Sequence, residues 1–377
     1  MSTAGSQSDT KYDRPSLVLR VALFVQLLVV IVSPAVWANP VNQPPPSIAS
    51  AEPETFGLAT PLGRLSYQVG RGLRVGNTGL VLGGFTTAEA ERLEGGKRSG
   101  GLDQVNFLAF IDPVPYLHLF TELELGDLAI LESGQEGVRS GGKLEVKRLY
   151  LDFGMSDALN IRFGKFLTPI GRWNVVRIEP LLWTTSDPVI VDQVFDKTVT
   201  GAMVHGLVFP PGGALSYSLY GTFLNPFDVP SDEHPAKRNA GARLEWADLR
   251  GWTVGASYFA SELQKGKWHH LGGTDLLWQP HARVEVSGEA VFGKGSLEDG
   301  TLWGLYAQTV VETVRTLYLV GRYERFDPSG ERPVNLFDLG LAWVPVPYLR
   351  LKADYLIADH LGEFSEPGLR ISLSLLF

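Results

Sequence analysis

Cysteine is absent from all 377 residues. That removes disulfide scaffolds, zinc-thiolate centres and thiol catalysis at once. Long apolar runs are missing too, apart from one near the N-terminus, whereas a polytopic helical membrane protein needs several runs of about 20 apolar residues. Catalytic signatures are equally scarce: the chain has no Gly-x-Ser-x-Gly elbow and no Gly-x-x-x-x-Gly-Lys-Ser/Thr phosphate loop. His118, His205 and His360 have no spacing that singles out a hydrolase site. The adjacent pair His269 and His270 is a poor metal chelate, because neighbours on an extended chain point to opposite faces. No enzyme and no cofactor are expected.

Hydrophobic residues nevertheless make up 44% of the chain, while mean hydropathy is only +0.03. The apolar residues are dispersed in alternation. The last ten residues display the pattern: Leu369, Ile371, Leu373, Leu375 and Phe377 alternate with Arg370, Ser372, Ser374 and the exception Leu376. Period-two alternation puts the two sets on opposite faces of a strand. One face is apolar and the other carries a charge and two hydroxyls, which suits a wall between lipid and water. An edge strand of a soluble sandwich would alternate in the same way, so the rest of the chain decides. A strand that ends the chain on an aromatic also resembles the terminal assembly signal of bacterial outer-membrane barrels, which implies the barrel-assembly machinery as a partner through Phe377.

At the other end, Lys11, Arg14 and Arg20 precede an apolar core from Val21 to Val32, followed by Pro34 and the small-residue end Val36-Trp37-Ala38. This predicts a signal peptide over residues 1–38, since the core is short for a span of about 30 Å. A retained anchor is the alternative. Without residues 1–38 the chain carries 30 Lys+Arg against 39 Asp+Glu. Nucleic acid is therefore not an expected partner, because it would need a basic face. Residues 39–78 form a Pro/Gly-rich segment, expected on the periplasmic side. It reads as an extended linker to about Gly63, and residues 64–78 fit either a short strand or a turn.

From Gly79 onward about sixteen alternating segments of roughly ten residues follow one another, separated by turn signals. Their approximate spans are 79–93, 102–112, 116–126, 143–154, 159–167, 198–209, 214–224, 239–248, 252–262, 268–278, 283–292, 301–312, 316–326, 335–345, 349–358 and 368–377. Short Pro- and Gly-bearing turns follow the even segments and longer polar connections mostly follow the odd ones. That asymmetry is the mark of an outer-membrane barrel. The sequence Pro-Val-Pro-Tyr-Leu occurs at two such turns, 113–117 and 345–349. Leu349, Leu351 and Tyr355 oppose Arg350, Lys352 and Asp354; Leu339, Leu341 and Trp343 oppose Asp338 and Gly340. A charge facing lipid at mid-membrane costs about 2–4 kcal/mol, so the charged set faces the lumen. Segment 143–154 changes phase between Val146 and Leu149, which predicts a bulge or an extension above the membrane. Trp246, Trp252, Trp278 and Trp343 fall beside tight turns, where an interface belt requires them. The expected fold is all-β: a transmembrane antiparallel β-barrel over 79–377, closed first strand to last. Fourteen and eighteen strands remain open alternatives to sixteen.

One connection breaks the rhythm. Residues 168–198 combine Trp173, Leu181, Leu182 and Trp183 with Arg172, Arg177, Glu179, Asp187, Asp192 and Asp196. A long connection of this kind is usually functional. Folded into the lumen, its apolar part would pack on the wall and its charges would line a constriction. The stretch Ile161-Arg-Phe-Gly-Lys-Phe-Leu-Thr-Pro-Ile-Gly-Arg172, after the turn at 156–159, resembles the strand and third-loop start of the phosphate-selective porin family, porins O and P and their relatives. The resemblance implies a sixteen-stranded trimeric barrel narrowed by an inward loop. Solutes differ across that group, and the basic lumen residues here are interleaved with acidic ones, so phosphate does not follow.

These observations lead to an outer-membrane channel for passive diffusion of small hydrophilic solutes or ions, embedded in outer-membrane lipid. The candidate constriction is Arg162, Lys165, Arg172, Arg177, Glu179 and Asp187. The plainer account of the same charges is a set of salt bridges that only holds the loop in place. A closed barrel acting as receptor or adhesin, or a barrel hydrolase, are the alternative functions.

Overall fold

The computed structural model describes residues 56–377, except 62, 134–137, 139–140, 223–237, 265–266, 295–299 and 329. The expected signal peptide lies outside the described residues. The strands, in chain order, are β1 (Phe56–Thr60), β2 (Gly63–Gln68), β3 (Gly72–Val75), β4 (Leu80–Leu93), β5 (Arg98–Val114), β6 (Leu117–Glu132), β7 (Lys143–Ser156), β8 (Leu159–Leu167), β9 (Thr198–Val208) and β10 (Gly213–Thr222). They continue with β11 (Arg238–Asp248), β12 (Trp252–Gln264), β13 (Lys267–His281), β14 (Val284–Lys294), β15 (Thr301–Val314), β16 (Leu317–Asp327), β17 (Val334–Val346), β18 (Leu349–Ala358) and β19 (Gly368–Leu376).

Each strand from β4 to β19 pairs antiparallel with the next, and β19 pairs back onto β4, with Arg370 opposite Glu91 and Leu375 opposite Thr86. The result is a closed barrel of sixteen strands with no free edge in the wall. Closure is tight at the seam. Phe377 N–H donates to Gly84 O at 2.9 Å, and Gly84 N–H donates to Phe377 O at 3.0 Å. A β-carbon on Gly84 would lie 2.7 Å from the Phe377 ring, so only glycine leaves room for it. That ring meets Phe107 edge-on at 6.2 Å.

Alternation translates into two faces as expected. Leu369, Ile371, Leu373 and Leu375 are exposed on the outside, while Ser372 and Ser374 are fully enclosed. Leu339, Leu341 and Trp343 face out beside a fully buried Asp338. Trp252 stacks on Trp278 at 4.7 Å, directly opposite it in register, near the turn end of the wall. His269 is buried and His270 exposed, on opposite faces of β13.

The phase change in β7 is a bulge. Glu122 pairs with Arg148 and Leu123 with Val146, which leaves Lys147 as the extra residue. Strands β5 and β6 run longer than their alternation suggested, so the connection 94–97 shrinks to a tight turn. The expected linker also needs correction. Phe56–Thr60 is a strand, and β1, β2 and β3 form a small antiparallel meander that joins β4 through Leu73 opposite Leu82. Glycines with positive φ at Gly63, Gly70 and Gly72 allow its tight turns.

Candidate functional site

Residues 168–197, between β8 and β9, cannot continue either strand. Pro169, Pro180 and Pro188 interrupt pairing, and Gly171 adopts φ 61°. Two short 3-10 turns (Asn174–Val176 and Glu179–Leu181) and one short helix, α1 (Val189–Gln193), give the segment its own structure. Its base is tied shut. Thr168 N–H donates to Lys197 O at 2.9 Å, and the Asn174 side-chain amide donates to Thr168 O and Lys197 O at 2.9 and 3.0 Å.

From that base the segment crosses the lumen to the wall eight strands away. Arg322 on β16 is fully buried and bonds to Glu324 at 2.7 Å and Asp338 at 3.0 Å. The same guanidinium donates to Thr184 Oγ1 and Ser186 O of the loop at 2.5 and 3.0 Å. Val189 N–H donates to Glu324, Ser186 Oγ to Asp338 and Thr185 N–H to Asp354, at 2.6 to 2.7 Å. On β14, Glu289 accepts from the main-chain N–H groups of Arg172 and Trp173 and from Tyr306 Oη. The apolar residues of the loop pack inward-facing wall residues: Ile170, Trp173, Leu182, Ile190 and Val191 share one cluster with Tyr220, Phe259, Leu271, Tyr306 and Phe326. Each large apolar side chain so enclosed contributes roughly 1.5–3 kcal/mol. Here the lumen wall is apolar on its inner face as well. The sequence signal for that is Phe259 beside Tyr258, and Val291 beside Phe292, where strict alternation lapses.

The six residues expected at a constriction are distributed as follows. Arg177 pairs with Asp187 at 2.6 Å. Glu179 accepts from Lys352 Nζ on β18 at 2.6 Å. Burial pushes the Glu179 carboxyl above the usual carboxylate range, with Lys352 opposing the shift. Arg162 holds Asp152 through two bonds of 2.7 Å and lies 3.8 Å above the Tyr150 ring. Lys165 is buried on β8, opposite Thr200 and Leu149. Arg172 is held through its main chain by Glu289. Arg177 and Glu179 line one cavity and Arg162 lines another.

Those two cavities differ in chemistry. The first, about 340 Å³, is bounded by Arg148, Tyr150, Arg162, His205, Arg243 and Glu245 among others. The second, about 280 Å³, lies between the loop and the β4–β7 wall and is bounded by Asp103, Glu122, Glu124, Glu145, Lys147, Arg177, Glu179 and Lys197, with Asn106 and Gln104. Glu289, Arg322, Glu324, Asp338 and Lys352, which anchor the loop, were visible in the sequence only as alternating lumen charges.

A sixteen-stranded barrel with an apolar exterior, a polar interior and a segment laid across its lumen defines the class: the porin-type β-barrel. Solved structures agree on the fold. A loop-deletion variant of the Vibrio cholerae outer membrane protein OmpT superposes with a TM-score of 0.57 at 12% identity, over 79% of this chain and 99% of that one. The outer membrane channel DcaP of Acinetobacter baumannii gives 0.55 at 11% identity, over 79% and 97%. The anion-selective porin of Comamonas acidovorans gives 0.53 at 12%, over 79% and 99%. In sequence, the chain is 25% identical over 316 residues to an uncharacterized protein of Aquifex aeolicus, spanning 68% of this chain and 70% of that protein. No protein-family model matches the chain.

Proposed function

We propose that the protein is a passive porin of the bacterial outer membrane, a water-filled barrel through which small hydrophilic solutes or ions diffuse past the segment 168–197. One observation carries this reading: the segment spans the lumen from the β8–β9 side to β16–β18 and leaves charged cavities beside it. A plugged receptor has no need of charged, polar space beside its plug, whereas a diffusion pore is narrowed by such a bar. The likeness of Ile161–Arg172 to the phosphate-selective porins belongs to this reading for the barrel, the inward loop and a trimer. The solute is set by the charges along the passage. Phe377, at the seam, is the handle for the barrel-assembly machinery.

Single-channel recording in planar bilayers tests the proposal. The refolded chain without residues 1–38 gives discrete conductance steps, and removal of residues 175–187 enlarges them. A folded barrel that never conducts overturns it.

A further inference from the structure

The second cavity, on the β4–β7 side of the loop, has more negative charge than its own cations neutralise. Lys147 is shared by Glu124 and Glu145, each at 3.1 Å, which leaves one carboxylate in excess. The other basic residues facing this cavity are already paired, Arg177 with Asp187 and Lys197 with Asp192, both at 2.6 Å. Glu122 is matched by Arg148 and Glu179 by Lys352. Asp103 bounds this cavity and also the adjoining one toward the outer end of the wall, where Glu89 stands. Neither the Asp103 nor the Glu89 side chain has a hydrogen-bonding or ion-pair partner among the described residues.

The backbone is shaped to put this charge there. In the β4–β5 ladder Thr87 pairs with Gln104 and Ala88 with Leu102, so Asp103 is a bulged residue. Lys147 is the bulged residue two strands away, and on β6 Asp127 takes φ 54° where the β5–β6 ladder also slips beside Asp103. A bulge re-aims a side chain that alternation would have sent to the other face. Here Asp103 and Gln104, consecutive in sequence, both reach the lumen.

A second feature points to the occupant. Asn106 is fully buried on the wall of this cavity; its amide donates to Gln104 Oε1 at 3.0 Å, while its Oδ1 has no partner. A buried carbonyl oxygen without a donor, beside uncompensated carboxylates, is an arrangement that receives a cation. Carboxylates in a low-dielectric wall also focus the field into the passage.

We infer that the pore is selective for small cations, and that Asp103 and Glu89, with the Asn106 oxygen, form the cation path alongside the loop. This inference rests on the porin reading above and adds the class of solute. It is tested by the reversal potential of the refolded protein in planar bilayers under a potassium chloride gradient, with heat-modifiable gel mobility confirming folding of each variant. The expected result is a reversal potential of cation sign. In Glu89→Gln/Asp103→Asn it shifts toward zero, with permeability ratio lowered several-fold while conductance steps persist. Glu363→Gln, an exposed carboxylate between β18 and β19, leaves it unchanged. A conducting pore that prefers anions, or one whose cation preference survives the double substitution, overturns the inference. Absence of conductance in the folded barrel overturns the porin reading itself, and this inference with it.

Discussion

The Glu289 carboxylate on β14 accepts the main-chain N–H of Trp173 at 2.5 Å, joining two residues 116 positions apart. It also accepts the N–H of Arg172 at 2.9 Å and Tyr306 Oη at 2.8 Å, so one buried side chain fixes the direction in which the loop leaves its base. Gly171 is required next to it, since any side chain there would strike the same carboxylate.

Glu289→Ala therefore strands three buried donors, at a cost of about 1–3 kcal/mol for each group left unsatisfied. The barrel still closes, because no ladder bond is lost. The expected outcome is a folded barrel whose loop is cut faster by protease and whose open-channel current is noisier than wild type.

Arg322 presents a harsher case. It is fully buried between Glu324 and Asp338 and also holds Thr184 and Ser186. Removing one partner of a buried pair costs about 3–5 kcal/mol, because the remaining charge is uncompensated. Arg322→Ala should lower the urea midpoint for unfolding in lipid by much more than Arg283→Ala, whose guanidinium lies on the exposed rim 3.9 Å from Glu312.

The seam offers a test of closure. Gly84→Val places a branched side chain against the Phe377 ring and the Asn106 carbonyl. The substitution should abolish the heat-modifiable gel shift that marks a closed barrel, whereas Gly321→Val, where a β-carbon meets nothing within 4 Å, should retain it.

Proton uptake at the loop should change selectivity in a defined direction. Burial raises the Glu179 carboxyl above its ordinary range; Lys352 and Arg177 oppose the shift and Asp187 adds to it, with Glu89, Asp103 and Arg350 also within electrostatic reach. As pH falls, Glu179 gains its proton at a higher pH than an exposed glutamate, and the cavity loses a negative charge. Cation preference should decline on acidification, starting above the usual glutamate titration range. Reversal potentials of wild type and Glu179→Gln across pH check this; the substituted pore should lose only the part of the decline that Glu179 contributes.

Alternation in the sequence was sufficient to determine the barrel. Its period of two separates Leu349, Leu351 and Tyr355 from Lys352 and Asp354, and a lipid-facing charge is too costly to permit the opposite assignment. The turns at 115–116 and 347–348, the seam at Phe377 and the bulge near Lys147 were legible for the same reason: each is a local feature of chain geometry. The meander β1–β3 was not, because strands of four to six residues carry too few repeats to stand out from a Pro-rich stretch.

The site belongs to the other category. The mixture of Trp, Leu and charge in residues 168–197 set that connection apart from the strands, but the destination of each charge was not legible. Arg162 and Arg177 lie 15 positions apart and border different cavities, while Glu179 meets Lys352 across 173. A sequence specifies which face of a strand a charge occupies. Which charges neutralise one another, and which carboxylates are left over beside the passage, depends on the crossing of the loop and the positions of two bulges, and only the folded barrel sets those distances.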